Sequence, residues 1–323
     1  MIESKKNVSL LIPLFNEEEV LPLLINEIEK FRVKRPEISE IIFINDGSSD
    51  QTAVKVLELT ISLEGYKLVS FSKNFGHQLA VTAGLDLVTT DAVIIMDADL
   101  QDPLEVAGKM IDEWKKGYDV VYGIRESREG ETYFKRITAK AFYRFFKWLT
   151  DLDIPLDTGD FRLLSRPVIQ AYQQLNEQQP FVRGLVSWLG FNQTGINYHR
   201  EKRKAGKTKY PLSKMLRLAT HAVTSFSDKP LRIATHLGVS VSMLAVVGII
   251  WVFYARLILD TAVPGWASSL VIILFLGGVQ MLFLGLIGVY LSRIYAEVKQ
   301  RPRYIIKDVW QSGEKKKHIS DEV

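Results

Sequence analysis

Ala92-Val-Ile-Ile-Met96, followed by Asp97-Ala-Asp99-Leu-Gln-Asp102-Pro103, is a short apolar run that stops on two aspartates one residue apart. Such a run predicts a buried strand whose far end opens into a loop. The same pattern recurs on either side of it. Val8 to Ile12 reads as a strand, gives way to Pro13-Leu-Phe-Asn-Glu-Glu18, and is followed by a helical pattern from Val20 to Phe31. Glu40 to Ile44 runs into Asn45-Asp-Gly-Ser-Ser-Asp50 and a helix reaching Leu63. Lys67 to Phe71 runs into Ser72-Lys-Asn-Phe-Gly76 and a helix over Gln78 to Leu87, and Asp119 to Tyr122 is the fifth strand. Near-continuous apolar strands separated by helices predict an α/β fold with a parallel sheet covered on both faces. Ligands of such sheets bind beyond the carboxyl ends of the strands, where these acidic strings lie.

The chain of 323 residues allows one sizeable domain and a smaller appendage. Absence of cysteine excludes disulfides and thiolate metal sites. A net charge of +4 is too small to point to nucleic acid, and none is expected as a partner. Its distribution says more. Between His199 and Arg232 ten Lys and Arg face only Glu201 and Asp228, which reads as a surface for anionic headgroups or phosphate. Directly after it, Ile233 to Ala255 is 23 residues without a formal charge, and Ala267 to Leu291 is 25 more. A span needs roughly 20 apolar residues, so both qualify as membrane helices. The loop between them carries no Lys or Arg, whereas Arg293, Lys299, Arg301, Arg303, Lys307 and Lys315 to Lys317 follow the second. The positive-inside rule then places both termini in the cytoplasm. The polar start, Met1 to Asn7, and Pro13 inside the next apolar run do not make a secretory signal. Leu212, Met215, Leu216, Ala219, Ala222, Val223 and Phe226 recur at helical spacing, as in a helix lying in the membrane interface or one packed on the soluble domain.

Taken singly the acidic strings are ordinary turn and cap sequences. Together they describe a site. Mg²⁺ takes one or two carboxylates plus phosphate oxygens and water, so Asp97 and Asp99 past a strand end suit a metal–diphosphate complex. No Gly-x-x-x-x-Gly-Lys-Ser/Thr loop is present, and no Gly-x-Gly-x-x-Gly follows the first strand, which argues against P-loop and dinucleotide chemistry. The five histidines, His77, His199, His221, His236 and His318, show no ligand spacing and read as structural.

The strings Pro13-Leu-Phe-Asn-Glu-Glu18, Asn45-Asp-Gly-Ser48, Asp97-Ala-Asp99 and Thr158-Gly-Asp-Phe-Arg162 resemble those of GT-A fold glycosyltransferases of family 2. Asp97-Ala-Asp-Leu-Gln-Asp-Pro103, Gly206-Lys-Thr-Lys-Tyr210, the two spans and Arg301-Pro-Arg-Tyr304 resemble the polyprenyl-phosphate branch, which includes dolichol-phosphate mannose synthases and GtrB-type glucosyltransferases. The resemblance implies a GT-A catalytic domain over 1–198, a basic juxtamembrane segment over 199–232, a transmembrane hairpin over 233–291 and a cytoplasmic tail over 292–323. It implies inverting transfer of a hexose, glucose from UDP-glucose first, to undecaprenyl phosphate at the cytoplasmic face of a bacterial membrane. UDP-N-acetylglucosamine and GDP-mannose are the alternative donors. It further implies Mg²⁺ or Mn²⁺ as cofactor, held by Asp99 and Asp97, and a homo-oligomer assembled through the membrane helices.

By the same resemblance Pro13, Asn16, Glu17, Asp46, Lys73, Asp97 and Gln101 line the nucleotide-sugar pocket, and Asp160 matches the acidic position assigned as catalytic base. The acceptor phosphate has a second pKa of about 6 and arrives largely ionised, so Asp160 is expected to orient groups rather than abstract a proton. Arg125, Lys135, Arg203 and Lys209 are the candidate cations for the lipid phosphate. Ala139 and Lys135 depart from the serine and arginine frequent in that branch. A processive polysaccharide synthase would carry Gln-x-x-Arg-Trp, but Gly184 follows Arg183 here. Intact Asp97, Asp99 and Asp160 argue against a non-catalytic scaffold.

Overall fold

In a computed structural model, which describes residues 6–125, 158–199, 227–257, 265–312 and 317–318, the first apolar run forms β1 (Val8–Leu14), buried at every position. It is followed by α1 (Leu21–Lys34), β2 (Ile38–Asn45), α2 (Thr52–Thr60), β3 (Tyr66–Phe71), α3 (His77–Leu87), β4 (Ala92–Ile95), α4 (Leu104–Lys115) and β5 (Val120–Arg125). Then come β6 (Thr158–Ser165), α5 (Arg166–Gln173), α6 (Val182–Trp188) and β7 (Gln193–Tyr198). The long helices α7 (Lys229–Leu257) and α8 (Trp266–Lys299) precede β8 (Ile306–Gln311) and β9 (Lys317–His318).

The sheet runs in the order β7-β5-β6-β4-β1-β2-β3-β8-β9. β1 pairs in parallel with β2 and β4, and β2 with β3. β6 lies antiparallel between β4 and β5, β7 joins β5 in parallel, and β8 runs antiparallel along β3. The sheet is therefore mostly parallel with two reversed strands, β6 and β8, as the resemblance to a GT-A domain implied. Helix α1 buries Leu21, Leu24, Ile25, Ile28 and Phe31, spaced three and four apart on one face. Each large apolar side chain so buried stabilises the fold by about 1.5–3 kcal/mol.

The sheet also draws on the far end of the chain. After α8, Arg303 donates from Nη2 to Asp86 on α3 (3.0 Å) and from Nη1 to the Leu175 carbonyl (3.1 Å). The Tyr304 hydroxyl donates to the same carboxylate (2.8 Å), and its ring stacks on Phe71 at 5.2 Å. β8 then covers the open edge of β3. The compact unit that holds the sheet thus includes, among the described residues, 301–312, 317 and 318 as well as 6–125 and 158–199.

The second unit contains α7 and α8. Both are long and apolar enough to cross a membrane. Their apolar side chains are outside any core, with Leu244 71% and Leu282 73% exposed, which a buried hairpin of a soluble protein would not show. Of the basic juxtamembrane segment, residues 200–226 lie outside the described residues, as does the loop 258–264.

Candidate functional site

The carboxyl ends of β1, β2, β3 and β4 bring their four loops together. The first two loops lock into each other. Asn16, in the left-handed region at φ 55°, accepts on Oδ1 from the Ser49 amide (2.9 Å), while its own amide donates to Ser48 Oγ (3.0 Å). The Glu17 amide donates to Thr52 Oγ1 (2.9 Å), and Glu18 Oε2 accepts from the Gln51 amide (3.0 Å). Asn16 through its side chain and amide, and Glu17 through its amide, therefore tie the first loop to the second, and Pro13 is buried inside β1.

Asp46 joins the second loop to the third. Only 2% exposed, its carboxylate accepts from the Phe75 amide on Oδ1 (2.6 Å) and from the Gly76 amide on Oδ2 (2.9 Å). Burial pushes its pKa up, against those two amides. Gly47 beside it has φ 63° and approaches so closely that a Cβ there would lie 2.3 Å from the Lys73 carbonyl carbon. No other residue fits that contact. Lys73 is exposed, its ammonium 5.2 Å over the Phe75 ring. Asp46→Asn would turn an amide group toward a backbone N–H that needs an acceptor. The expected loss is about 1–3 kcal/mol of stability in denaturant unfolding, and an unchanged midpoint would mean that these bonds do not hold the loop.

The fourth loop meets β6. The antiparallel register ends on Ile95 with Arg162, so Asp97, two residues on from β4, and Asp160, two residues back along β6, approach the same His77 nitrogen. Asp99 is 9% exposed and accepts on Oδ1 from the Gln101 amide (3.1 Å), closing a turn in which Leu100 has φ 55°. Gln101 is itself buried. Asp102 accepts from the Tyr198 hydroxyl (2.6 Å), and Tyr198 in turn lies 3.3 Å from Arg125 Nε. The Arg125 guanidinium rests over Gly159, where a Cβ would lie 2.4 Å from Nη2. Burial opposes its charge, but Tyr198, Asp102 and Asp97 raise its pKa.

Asp160, with 11% of its side chain exposed, gathers donors from two helices. Oδ2 lies 3.0 Å from His77 Nε2 and accepts from Gln78 Nε2 (3.1 Å). Oδ1 faces Arg183 Nε at 2.8 Å, a contact of charges without the alignment of a hydrogen bond. Burial would raise the carboxyl pKa, yet Arg183, His77 and Arg162 hold it far below the usual carboxylate range. Arg162 behind it is buried, and desolvation draws its pKa down to about 10. His77 also faces Asp97 at 3.9 Å. Partial burial lowers its pKa, but Asp160 and Asp97 outweigh that and raise it to about 9.

Sequence reasoning read His77 as structural, and the structure sets it against Asp160 and Asp97. Its partner Asp160 lies 83 positions away, so no spacing rule could join them. Lys135, Arg203 and Lys209 lie outside the described residues. Among the described residues no group of three or more His, Asp and Glu converges as a metal cage. The donors at hand, Asp97 and Asp99, are carboxylate oxygens. That set fits a hard cation completing its shell with phosphate and water, as Mg²⁺ does at substrate phosphates.

A family model for glycosyl transferase family 2 matches residues 9–173. A Bacillus subtilis (strain 168) protein named uncharacterized glycosyltransferase YkcC is 46% identical over 299 residues, covering 93% of each chain. The prophage bactoprenol glucosyl transferase homolog of Escherichia coli (strain K12) is 41% identical over 302 residues, 94% of this chain and 99% of that one. Bactoprenol glucosyl transferase of Shigella phage SfX is 41% identical over 300 residues, 93% of this chain and 98% of that one.

Proposed function

Because the chain belongs to glycosyl transferase family 2, in its GtrB-like polyprenyl-phosphate branch, we propose that it transfers glucose from UDP-glucose to undecaprenyl phosphate. The observation that carries this reading is the convergence of Asp97, beyond β4, and Asp160, on the reversed strand β6, on the one imidazole of His77, with the Arg125 guanidinium over neighbouring Gly159. Likeness to bactoprenol glucosyl transferases along nearly the whole chain supports the lipid acceptor and the glucose. Two helices long enough to cross a bilayer support a membrane substrate. The charge asymmetry of their flanks supports catalysis at the cytoplasmic face.

In the reaction a phosphate oxygen of the lipid attacks C1 of the sugar from the face opposite the nucleotide. The C1–O bond to the diphosphate breaks, UDP leaves with the electron pair, and a sugar phosphodiester forms with inverted configuration. The nucleophile is ionised near pH 7, so no base is needed to make it. Asp160 is also a poor base, because His77, Gln78 and Arg183 occupy its oxygens and the charges of Arg183, His77 and Arg162 depress its pKa. Its role is to hold those donors in place. Arg125, fixed by Tyr198 and seated on Gly159, offers a planar fork to the acceptor phosphate. Lys135, Arg203 and Lys209 are proposed as its partners there. The loops built on Asn16, Glu17 and Asp46 enclose the nucleotide, with Lys73 at their exposed rim. Asp99 and Asp97 would hold Mg²⁺ or Mn²⁺, which supplies countercharge for the diphosphate as it leaves.

Donor identity is tested by giving the purified protein undecaprenyl phosphate and a panel of nucleotide sugars. Glucose from UDP-glucose is expected in the lipid fraction. Preference for UDP-N-acetylglucosamine or GDP-mannose would overturn the donor and leave the reaction standing.

A further inference from the structure

We infer that His77 is a positioning residue of the transfer centre, its imidazole joining Asp160 on β6 to Asp97 beyond β4 and so fixing the acceptor side of the site against the donor side. The inference rests on the reaction proposed above. Three observations carry it. First, His77 contacts both carboxylates, at 3.0 and 3.9 Å. Gln78 and Arg183 also hold Asp160, but among the described residues no hydrogen bond or ion pair joins either of them to Asp97. His77 is thus the bridge between the two strand ends rather than one more counter-ion for Asp160.

Second, the backbone that presents the imidazole is itself fixed. His77 opens α3 directly after Phe75 and Gly76, whose amides are both bound by the buried carboxylate of Asp46. Gly76, at φ 103°, sets the direction of entry into the helix. The pocket wall and the bridge therefore share one anchor, and a side chain on such a support is held to the tolerance that transfer geometry demands. Third, the side chain of His77 remains 40% exposed, whereas that of Asp160 is 11% exposed. A histidine serving only to neutralise a buried acid would be enclosed with it; this one keeps a face open to the solvent at the strand ends.

The test compares His77→Ala, His77→Gln and His77→Lys in the full-length protein, in detergent, with UDP-glucose and undecaprenyl phosphate. The alanine variant leaves Asp160 short of a partner and so melts lower, but assayed well below its melting temperature it is expected to lose about 10²-fold in kcat with the KM for UDP-glucose little changed. Lysine or glutamine, which restores a donor, is expected to recover about tenfold of that loss. A purely structural role predicts instead that activity is lost only as the protein melts, with kcat unchanged below the melting temperature, and that the gain from either replacement follows the melting temperature alone. That outcome, or an alanine variant as active as the parent, overturns the inference. The parent protein run alongside separates the two readings: no transfer by the parent defeats the proposed reaction, whereas an active parent with an equally active alanine variant defeats only the role of His77.

Discussion

Asp160→Asn is expected to lower kcat by about 10²–10³-fold, and raising the pH from 6 to 8 is not expected to restore it. Asparagine keeps the shape of the side chain but leaves Arg183, His77 and the buried Arg162 without their shared countercharge. Removing one partner from a buried charge group costs about 3–5 kcal/mol, so a lower melting temperature should accompany the loss. The pH argument separates the roles. The Asp160 carboxyl is depressed in the folded protein, so its stabilising contribution is present above the unfolded carboxylate range and is lost only as pH falls through its lower folded value. It adds no acidic limb near neutrality.

His77 behaves in the opposite way. Its pKa is raised to about 9, so its contribution is complete below its unfolded value of roughly 6.5 and fades as pH rises through 9. Without the charge of Asp160 that alkaline decline should begin at lower pH. A rate loss that recovers steeply with rising pH would instead show that hydroxide replaces a missing base, and the orienting role would be wrong.

Asp99→Ala is expected to reduce transfer by about 10³-fold, the scale of the several kcal/mol that countercharge on a departing diphosphate supplies. The side chain also closes the turn at Leu100 through the Gln101 amide, a bond worth about 1 kcal/mol. Titrating Mn²⁺ and UDP into the variant by calorimetry distinguishes the two effects. If only the turn mattered, metal-linked UDP binding would persist; the account requires that it weaken with the rate. Activity surviving Asp99→Ala would remove the metal assignment.

Much of the site was legible because its loops follow apolar strands. Asp46, Asp97 and Asp99 could be placed at strand ends from residue order alone, and the parallel pairing of β1 with β2 and β4 brought those ends together. Strand direction was not legible at Thr158–Ser165. Composition does not distinguish a reversed strand from a parallel one, and this reversal is what carries Asp160 to the end of β4 from which Asp97 follows. β8 was hidden for a related reason. Lys307 and Asp308 made Ile306–Gln311 read as charged tail, yet a strand covering a sheet edge tolerates polar residues on its open face. The clasp of Arg303 and Tyr304 on Asp86 became visible only with α3 in place. The pairing of His77 with Asp160 was not legible because it is a tertiary contact between positions 83 apart, and its immediate neighbours, Gly76 and Gln78, give no sign of it.

The most direct measurement is the lipid product itself. Purified protein is incubated with UDP-glucose and either undecaprenyl phosphate or undecaprenol, and the lipid fraction is read by mass spectrometry alongside UDP release. The account predicts a glucosyl phosphodiester formed only with the phosphate and matched by UDP. UDP release without a lipid product, or equal transfer to undecaprenol, would contradict an ionised phosphate as the nucleophile.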